Sequence, residues 1–303
     1  MNVAIVSDSH SGITKHDITG TNIFIIQIPI MVNNDIRPDM ETISFSMFDK
    51  MVYNNYTLEC TSPNENAFKE IWNYLLKIKQ YDYVIHIPYS SELGNMYDFC
   101  KNLASSYSDR VIVLDTKRLG VALKSLLFTA RKLSTLNIST DDLINIINET
   151  SGQYSLYMMI GEPKFVKNNC KLDMTKDAYN SLNSPKPIFQ MDDGVIDIKA
   201  KCRNQKQGIK TMLKALDKDL KTKFKEFVDN KEIEIFIAYS TKIEDGVNLK
   251  ETLTKKYPEI KITYTDQLPI CLCTNLGLNT LMVGCSRIFN YQKIKWDFYA
   301  KFN

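Results

Sequence analysis

The sequence predicts an α/β protein of two domains. Residues 1–152 would form an N-terminal doubly wound, mostly parallel sheet, and residues 153–303 a C-terminal α+β domain with a mixed sheet. Three observations predict this. Up to Asn148, short apolar runs alternate with helical stripes, the order expected of a doubly wound sheet. After Ser151-Gly152 the texture changes, and Lys164 to Ser184 is polar with little periodicity. Asp193-Gly194 then falls between two apolar runs, a strong hairpin signal. A chain of 303 residues, 44% hydrophobic and 11% aromatic, has enough apolar surface for such cores.

The first strand is Val3 to Val6, ending at Ser7-Asp8-Ser9. Asp8 at a strand's carboxyl end either faces a ligand or caps the next turn. A second strand is predicted over Asn22 to Ile30, where Ile23, Phe24, Ile25, Ile26 and Ile28 suit burial on both faces. Asn33-Asn34-Asp35 is a turn, and Phe45, Phe48, Met51 and Val52 mark a short helix. Ser62, Pro63 and Glu65 read as a capping box with proline at the first helical position. The helix would bury Phe68, Ile71, Trp72, Leu75 and Leu76. Since capping accounts for Ser62, Thr61 is the better ligand-facing hydroxyl.

Val84 to Ile87 is a buried strand that must end at Pro88. Ser91 is a good N-cap for a helix whose stripe runs Leu93, Met96, Tyr97, Cys100, Leu103, Ala104 and Tyr107. Hydroxyls at a helix N-terminus, with its free N–H groups and positive dipole end, suit an anion. Arg110 to Leu114 is a further strand, followed by helices from Leu119 to Leu133 and Thr140 to Asn148. In the second half, Tyr154 to Ile160, Glu234 to Ala238 and Ile260 to Tyr264 are strands, and Pro187–Met191 with Val195–Lys199 make the hairpin. A long helix spans Gln205 to Val228, and Thr241 with Glu244 caps another that ends at Tyr257. Cys271 to Gly284 is apolar with breaks at Gly277 and Gly284, before an aromatic tail of Trp296, Phe298, Tyr299 and Phe302.

A net charge of +3 gives no support for nucleic acid as a partner. Seven scattered cysteines with no secretory signal point to reduced thiols in a cytoplasm. No stretch approaches the about 18 apolar residues needed to cross a bilayer, so no stable membrane insertion is expected. Cys271 and Cys273 lack a second pair at zinc-ligand spacing, so no metal site is expected. His86, inside an apolar strand, reads as a satisfied core histidine; His10, in the first loop near Asp8, is either a neighbour of a ligand or an exposed loop residue, and the second reading is preferred. Arg203 and Lys206 read as a solvated basic face.

Taken in register, these stretches resemble the DegV family of bacterial fatty-acid-binding proteins. Ile5-Val6-Ser7-Asp8-Ser9 is similar to the family's opening strand and turn, and Thr61-Ser62 to its Thr-Ser turn, with Pro63 one residue early. Ser90-Ser91-Glu92-Leu93-Gly94-Asn95-Met96-Tyr97 resembles its Ser-Ser-x-Leu-x-x-x-Tyr signature, and Val113-Leu114-Asp115-Thr116 its Asp-Ser strand end. Lys186-Pro187-Ile188, Asp193-Gly194 and Lys201-Cys202-Arg203 are similar to a later run. No single motif is specific; their order and spacing are.

The resemblance implies two α/β domains holding one long-chain fatty acid in a tunnel between them. It implies that Thr61, Ser62, Ser90 and Ser91 hold the carboxylate, and that the 270–285 stretch returns to the interdomain cleft. It also implies presentation of the bound acid to a separate fatty acid kinase, with no catalytic residue or cofactor in this chain. Two departures stand out. Cys273-Thr274-Asn275-Leu276-Gly277 occupies the place of the family's His-Thr-Gly-Pro-Gly, and its Cys is a weak donor where the family has a carboxylate-binding His. Asn168-Asn169-Cys170 stands where the family has Gly-Gly-Arg, a change that bears on kinase docking and head-group charge. Cys273 and Thr274 therefore join the candidate site. The rival expectation is an enzyme of phosphoryl or acyl transfer built on Asp8, Ser90 and Asp115. It lacks a P-loop, a Gly-x-Ser-x-Gly elbow and a Rossmann fingerprint.

Overall fold

A computed structural model describes residues 2–37, 43–61, 64–136, 138–163, 166, 175–291 and 294. Alternate side chains of the first strand, β1 (Val3–Asp8), enter two different cores. Val3 and Ile5 pack under the helices Gly120–Ser134 and Thr140–Glu149, while Ala4 and Val6 pack under Glu65–Asn73 and Met96–Ala104. A strand covered on both faces has no polar side to show, so it reads as a continuous apolar run. β2 (Ile23–Ile26) follows, and then β3 (Ile30–Val32), β4 (Asp35–Arg37) and β5 (Leu58–Cys60) form a separate antiparallel sheet. With β6 (Tyr83–His86) and β7 (Val111–Val113), a parallel sheet of order β2-β1-β6-β7 is complete.

The run from Asn22 to Ile30 is therefore not one strand. Ile28 N–H donates to Ser9 Oγ at 3.0 Å, and Pro29 has no N–H to offer a ladder, so the chain leaves β2 and enters the second sheet at Ile30. The caps differ too. Asn64, not Ser62, caps the Glu65–Asn73 helix, accepting from Asn66 N at 2.9 Å; Ser62 and Pro63 lie outside the described residues. The helix after Ser91 starts only at Met96. Ser90 caps a short turn, Ser91–Leu93, and Gly94 interrupts it. The buried stripe that survives is Met96, Cys100 and Ala104.

β8 (Tyr154–Met159), β9 (Lys186–Asp192), β10 (Val195–Cys202), β11 (Ile233–Tyr239), β12 (Lys261–Gln267) and β13 (Leu281–Arg287) form a sheet of order β10-β9-β8-β13-β11-β12. Only the β11–β12 pairing among these is parallel, so the sheet is mixed as expected. Asp193 and Gly194 turn the β9–β10 hairpin with φ of 48° and 85°, the left-handed pair that an Asp-Gly turn supplies. The long helix stops at Lys221, and Lys225–Asp229 is a separate turn. Thr241 caps nothing: its hydroxyl accepts from Asn279 N at 3.0 Å, and the Ile243–Lys256 helix starts without a side-chain cap. Within Lys164 to Ser184 the described residues include a helix, Lys176–Ser181, capped by Thr175. The aromatic tail and Asn168–Cys170 lie outside the described residues.

Each face of the six-stranded sheet has its own core. Tyr157, Met159, Ile235 and Ile237 pack beneath the helices Gln205–Lys221 and Ile243–Lys256. Tyr154, Leu156, Met158, Phe236 and Met282 face the other way and share one core with Leu119, Val121, Ile30 and Leu58 from the first half. The helix Ile270–Leu276 lies on this seam and leans on β5 and on the turn Ser9–Ser11.

Gly284 is not a break. It sits mid-strand in β13, paired with Leu156 and Phe236, and a Cβ there would meet Ser155 O at 2.3 Å and Phe236 Cε2 at 2.5 Å. Neither backbone nor a buried ring can yield cheaply, so G284A is expected to lose about 1–3 kcal/mol of stability. Denaturant unfolding measures this through a lower midpoint at unchanged slope.

Candidate functional site

The sequence places a carboxylate at the end of β1, and the fold buries it. Asp8 is fully enclosed and accepts hydrogen bonds from His10 N at 2.9 Å, His10 Nδ1 at 2.9 Å and Tyr89 N at 3.0 Å. It thus ties the turn after β1 to the loop after β6. Burial opposes ionisation, but the His10 bond and charge and the two backbone donors outweigh it and hold Asp8 below the usual carboxylate range. His10, expected in an exposed loop, is 6% exposed instead, with its ring 4.4 Å from that of Tyr89. Burial disfavours its charge, yet bonds to Asp8 and to Cys60 raise its pKa to about 10. An ion pair therefore sits where the sequence suggests a surface loop.

Cys60 extends the chain of contacts into the second half. Its Sγ donates to Cys271 O at 3.3 Å and lies 3.4 Å from Thr274 Oγ1. The Cys271 bond, opposed by burial and helped by His10, lowers the Cys60 thiol well below its ordinary value. Burial and the neighbouring Cys60 push Cys271 up. Thr274 thus faces β5, whereas Cys273 turns into the apolar core with Sγ 3.8 Å from Leu268 O. Thr61, the next residue after Cys60, gives both its N–H (3.0 Å) and its hydroxyl (3.2 Å) to Pro29 O.

Ser90 and Ser91 follow Tyr89 in the loop after β6. Ser90 Oγ accepts from Glu92 N at 3.3 Å and is buried. Ser91 Oγ donates to Asp115 Oδ2 at 2.5 Å and accepts from Lys117 Nζ at 2.7 Å. Lys117 also pairs with Glu92 at 2.5 Å and Asp115 at 3.0 Å. These hydroxyls precede a three-residue turn and not a full helix, so the dipole argument for an anion does not carry over to them. Instead a cation, Lys117, stands at the same corner. Nothing in the pattern singles out Lys117, His10 or Cys60; only their adjacency to Asp115, Asp8 and Thr61 could do so. His86 behaves as expected of a core histidine. It accepts from Trp72 Nε1 at 3.2 Å, and burial lowers its pKa to about 4.

A cavity of about 500 Å³ opens on the seam beside this cluster. Ile13, Ile43, Phe45, Leu268 and Ile270 supply apolar walls, Ser9 is part of the lining, and Lys124 enters with its partners Asp17 (3.2 Å) and Asp266 (2.8 Å). None of Thr61, Ser90, Ser91, Cys273 and Thr274 lines it. Among the described residues no group of three or more His, Cys, Asp or Glu is arranged to hold a metal ion, and no helix is long and apolar enough to cross a membrane.

A family model described as "Uncharacterised protein, DegV family" matches residues 2–287. The chain belongs to the DegV family. A DegV domain-containing protein of Clostridium perfringens is 24% identical over 287 residues, 92% of this chain and 95% of that relative. Among solved structures, DegV of Bacillus subtilis, described as a fatty acid binding protein, superimposes with a TM-score of 0.79 at 20% identity, over 95% of this chain and 99% of its own. A stearic acid-binding protein from Eubacterium ventriosum gives a TM-score of 0.83 at 16% identity, over 96% of this chain and 99% of its own. At these identities the likeness is one of fold, the arrangement of a parallel sheet and a mixed sheet described above.

The ion pair of this DegV-family chain has a testable titration. His10 is raised from an ordinary 6.5 to about 10, so its protonation contributes stability that is complete below 6.5 and lost as the pH passes through about 10. Cys60 is shifted the other way, and its contribution is lost as the pH falls. The two proton balances offset near neutrality, which makes a spectroscopic readout cleaner than a melting curve. The His10 ring resonances are expected to remain those of imidazolium at pH 8. An NMR titration with His10 neutral at pH 8 would contradict the pairing.

Proposed function

We propose that this protein binds a long-chain fatty acid along the seam between its two main sheets. The observation that carries this is the continuity of one apolar core drawn from both halves, with hydroxyls held by Cys60 and by Asp115 in two places around it. Burying a methylene is worth about 0.8 kcal/mol, so a chain of about sixteen carbons brings a gross drive on the order of 12 kcal/mol. A buried carboxylate left unpaired would cost roughly 1–3 kcal/mol per missing bond. Tail burial therefore sets affinity, and the polar corner sets orientation.

The carboxylate is held by hydroxyls of Thr61, Ser62, Ser90 and Ser91, with Thr274 in place of the core-facing Cys273. Lys117 adds a positive charge beside Ser91. The cavity walled by Ile13, Ile43, Phe45, Leu268 and Ile270 supplies room for apolar matter next to the seam. Solved relatives of the same fold described as fatty acid binding, from Bacillus subtilis and Thermus thermophilus, support the choice of ligand class. Asp8, Ser90 and Asp115 are already engaged by His10 and Tyr89, by Glu92, and by Ser91 and Lys117. That favours binding over phosphoryl or acyl transfer by this chain. Activation of the bound acid falls to a separate fatty acid kinase, to which this protein presents it.

Mass spectrometry of a lipid extract from the purified protein is expected to find a stoichiometric long-chain fatty acid. An empty protein that also fails to take up added palmitate would refute the assignment. The double variant T61A/S91A is expected to weaken acyl binding at least tenfold, about 1.4 kcal/mol, while its circular dichroism is unchanged. Unchanged affinity in that variant would remove both hydroxyls from the site.

A further inference from the structure

The sheet order β2-β1-β6-β7 sends the chain from β1 to one side and from β6 to the other, so a crevice opens where these two neighbours end. Open α/β sheets take ligands at such a point. Three segments leave the carboxyl ends of β1, β6 and β7 there: Asp8 with the turn after it, residues 89–91, and residues 115–118. The last two run side by side. Ser90 N–H donates to Arg118 O at 2.9 Å and Ser91 N–H to Asp115 Oδ1 at 3.3 Å, so Thr116 lies between two residues bonded to the Ser90–Ser91 loop.

The hydroxyls of the candidate site divide by what they already do. Thr61 donates to Pro29 O, and Ser91 to Asp115. Thr116 Oγ1 is fully buried and has no hydrogen-bond partner among the described residues. Ser90 Oγ, also fully buried, accepts from Glu92 N but has no acceptor for its own proton among them. Two buried O–H donors without acceptors, on adjoining stretches of backbone, are a fault in a closed core and a fit for a group that only accepts. An ionised carboxylate is such a group, with two oxygens to divide between them.

We propose that Thr116 is a further ligand-binding residue of the fatty acid site, its hydroxyl donating to one carboxylate oxygen while Ser90 donates to the other. The inference rests on the fatty acid reading above and orders the hydroxyls within it. Ser90 and Thr116 gain a bond on binding and lose none, whereas Thr61 and Ser91 must first release an acceptor. Bonds donated to the charged form also keep the acid ionised against the effect of burial. In the free protein the Thr116 hydroxyl is unsatisfied, so exchanging it for a methyl of the same shape removes a desolvation cost there and a bond from the complex. The two effects have opposite signs, which separates a ligand contact from a structural one.

The test uses the full, delipidated chain with palmitate as the probe. Calorimetric titration is expected to show palmitate bound roughly tenfold more weakly by T116V than by wild type, with T116S restoring the wild-type affinity. Ligand-free T116V is expected to unfold in denaturant at a midpoint no lower than that of wild type. Equal palmitate binding by T116V and wild type, or a weakening that T116S does not restore, overturns the inference and leaves the fatty acid reading standing. A ligand-free T116V that is unfolded or less stable than wild type assigns the hydroxyl to the fold and overturns it as well. A wild-type chain that takes up no palmitate refutes the fatty acid reading itself, and the role of Thr116 falls with it.

Discussion

The buried carboxylate of Asp8 is the constraint around which the site is built. A charge inside a protein is tolerated only when its hydrogen bonds are met. Here the end of β1, the turn after it and the loop after β6 must converge to meet them. His10 is drawn inward as the counter-ion, which places its ring against Tyr89 and Cys60. Cys60 in turn meets the Ile270–Leu276 helix through Cys271 and Thr274. One acidic side chain thereby stands at the meeting point of five segments: the end of β1, the turn after it, the loop after β6, β5 and the Ile270–Leu276 helix. Removing it would leave the His10 ring and the Tyr89 N–H without their shared acceptor, a costlier fault than the loss of a single bond.

The seam between the two sheets is fastened by similar means. The Gly120–Ser134 helix is buried along most of its length, touching β1 on one side and β11 and β13 on the other. Its polar residues are therefore forced to find partners inside. Lys124 reaches Asp17 and Asp266, and Ser125 bonds Glu234. Arg118, just ahead of it, gives one Nη to Ser286 at 2.7 Å and the other to Thr150 O at 2.6 Å, and stacks 4.7 Å over the Tyr154 ring. Burial brings this guanidinium down to about 10. The Arg118–Ser286, Lys124–Asp266 and Ser125–Glu234 bonds join the first half of the chain to the second. The seam is thus apolar in its middle and pinned by directional bonds at its edges, a combination that fixes the relative placement of the sheets while leaving the interior to dispersion and burial alone.

What the sequence makes legible follows from which interactions are local. Strands buried on both faces, such as β1, announce themselves as unbroken apolar runs, and the Asp193-Gly194 hairpin is set by the turn's own backbone. Caps are misread wherever a distant partner displaces the local one. Ser91 gives its hydroxyl to Asp115, Thr241 accepts from Asn279, and in each case the helix starts elsewhere or uncapped. The run ending at Ile30 reads as one strand because composition does not record that Ser9 captures the Ile28 N–H. The ion pair at the site is hidden for the same reason. His10 stands among serines and a glycine, and only the arrival of Tyr89 and Cys60 from elsewhere in the chain buries it. Cys60 and Cys271 are 211 positions apart, and no spacing rule joins them.

The charges at this corner also decide what kind of ligand it suits. His10 is already neutralised by Asp8 and held by Cys60, and Lys117 is shared between Asp115 and Glu92. Neither cation is free to bind an acid strongly without giving up an existing partner, so an anion gains little from charge alone. Small, highly charged anions, which depend on that attraction, have nothing else to offer this corner. An amphiphile does, because its affinity comes from apolar surface removed from water and its acid group needs only enough donors to escape the cost of burial. Hydroxyls meet that need, since each can exchange a carbonyl or carboxylate partner for another at nearly constant hydrogen-bond count. On the proposed reading, a single long tail with one acid end suits a corner whose strong charges are already paired internally and whose weak donors are exchangeable.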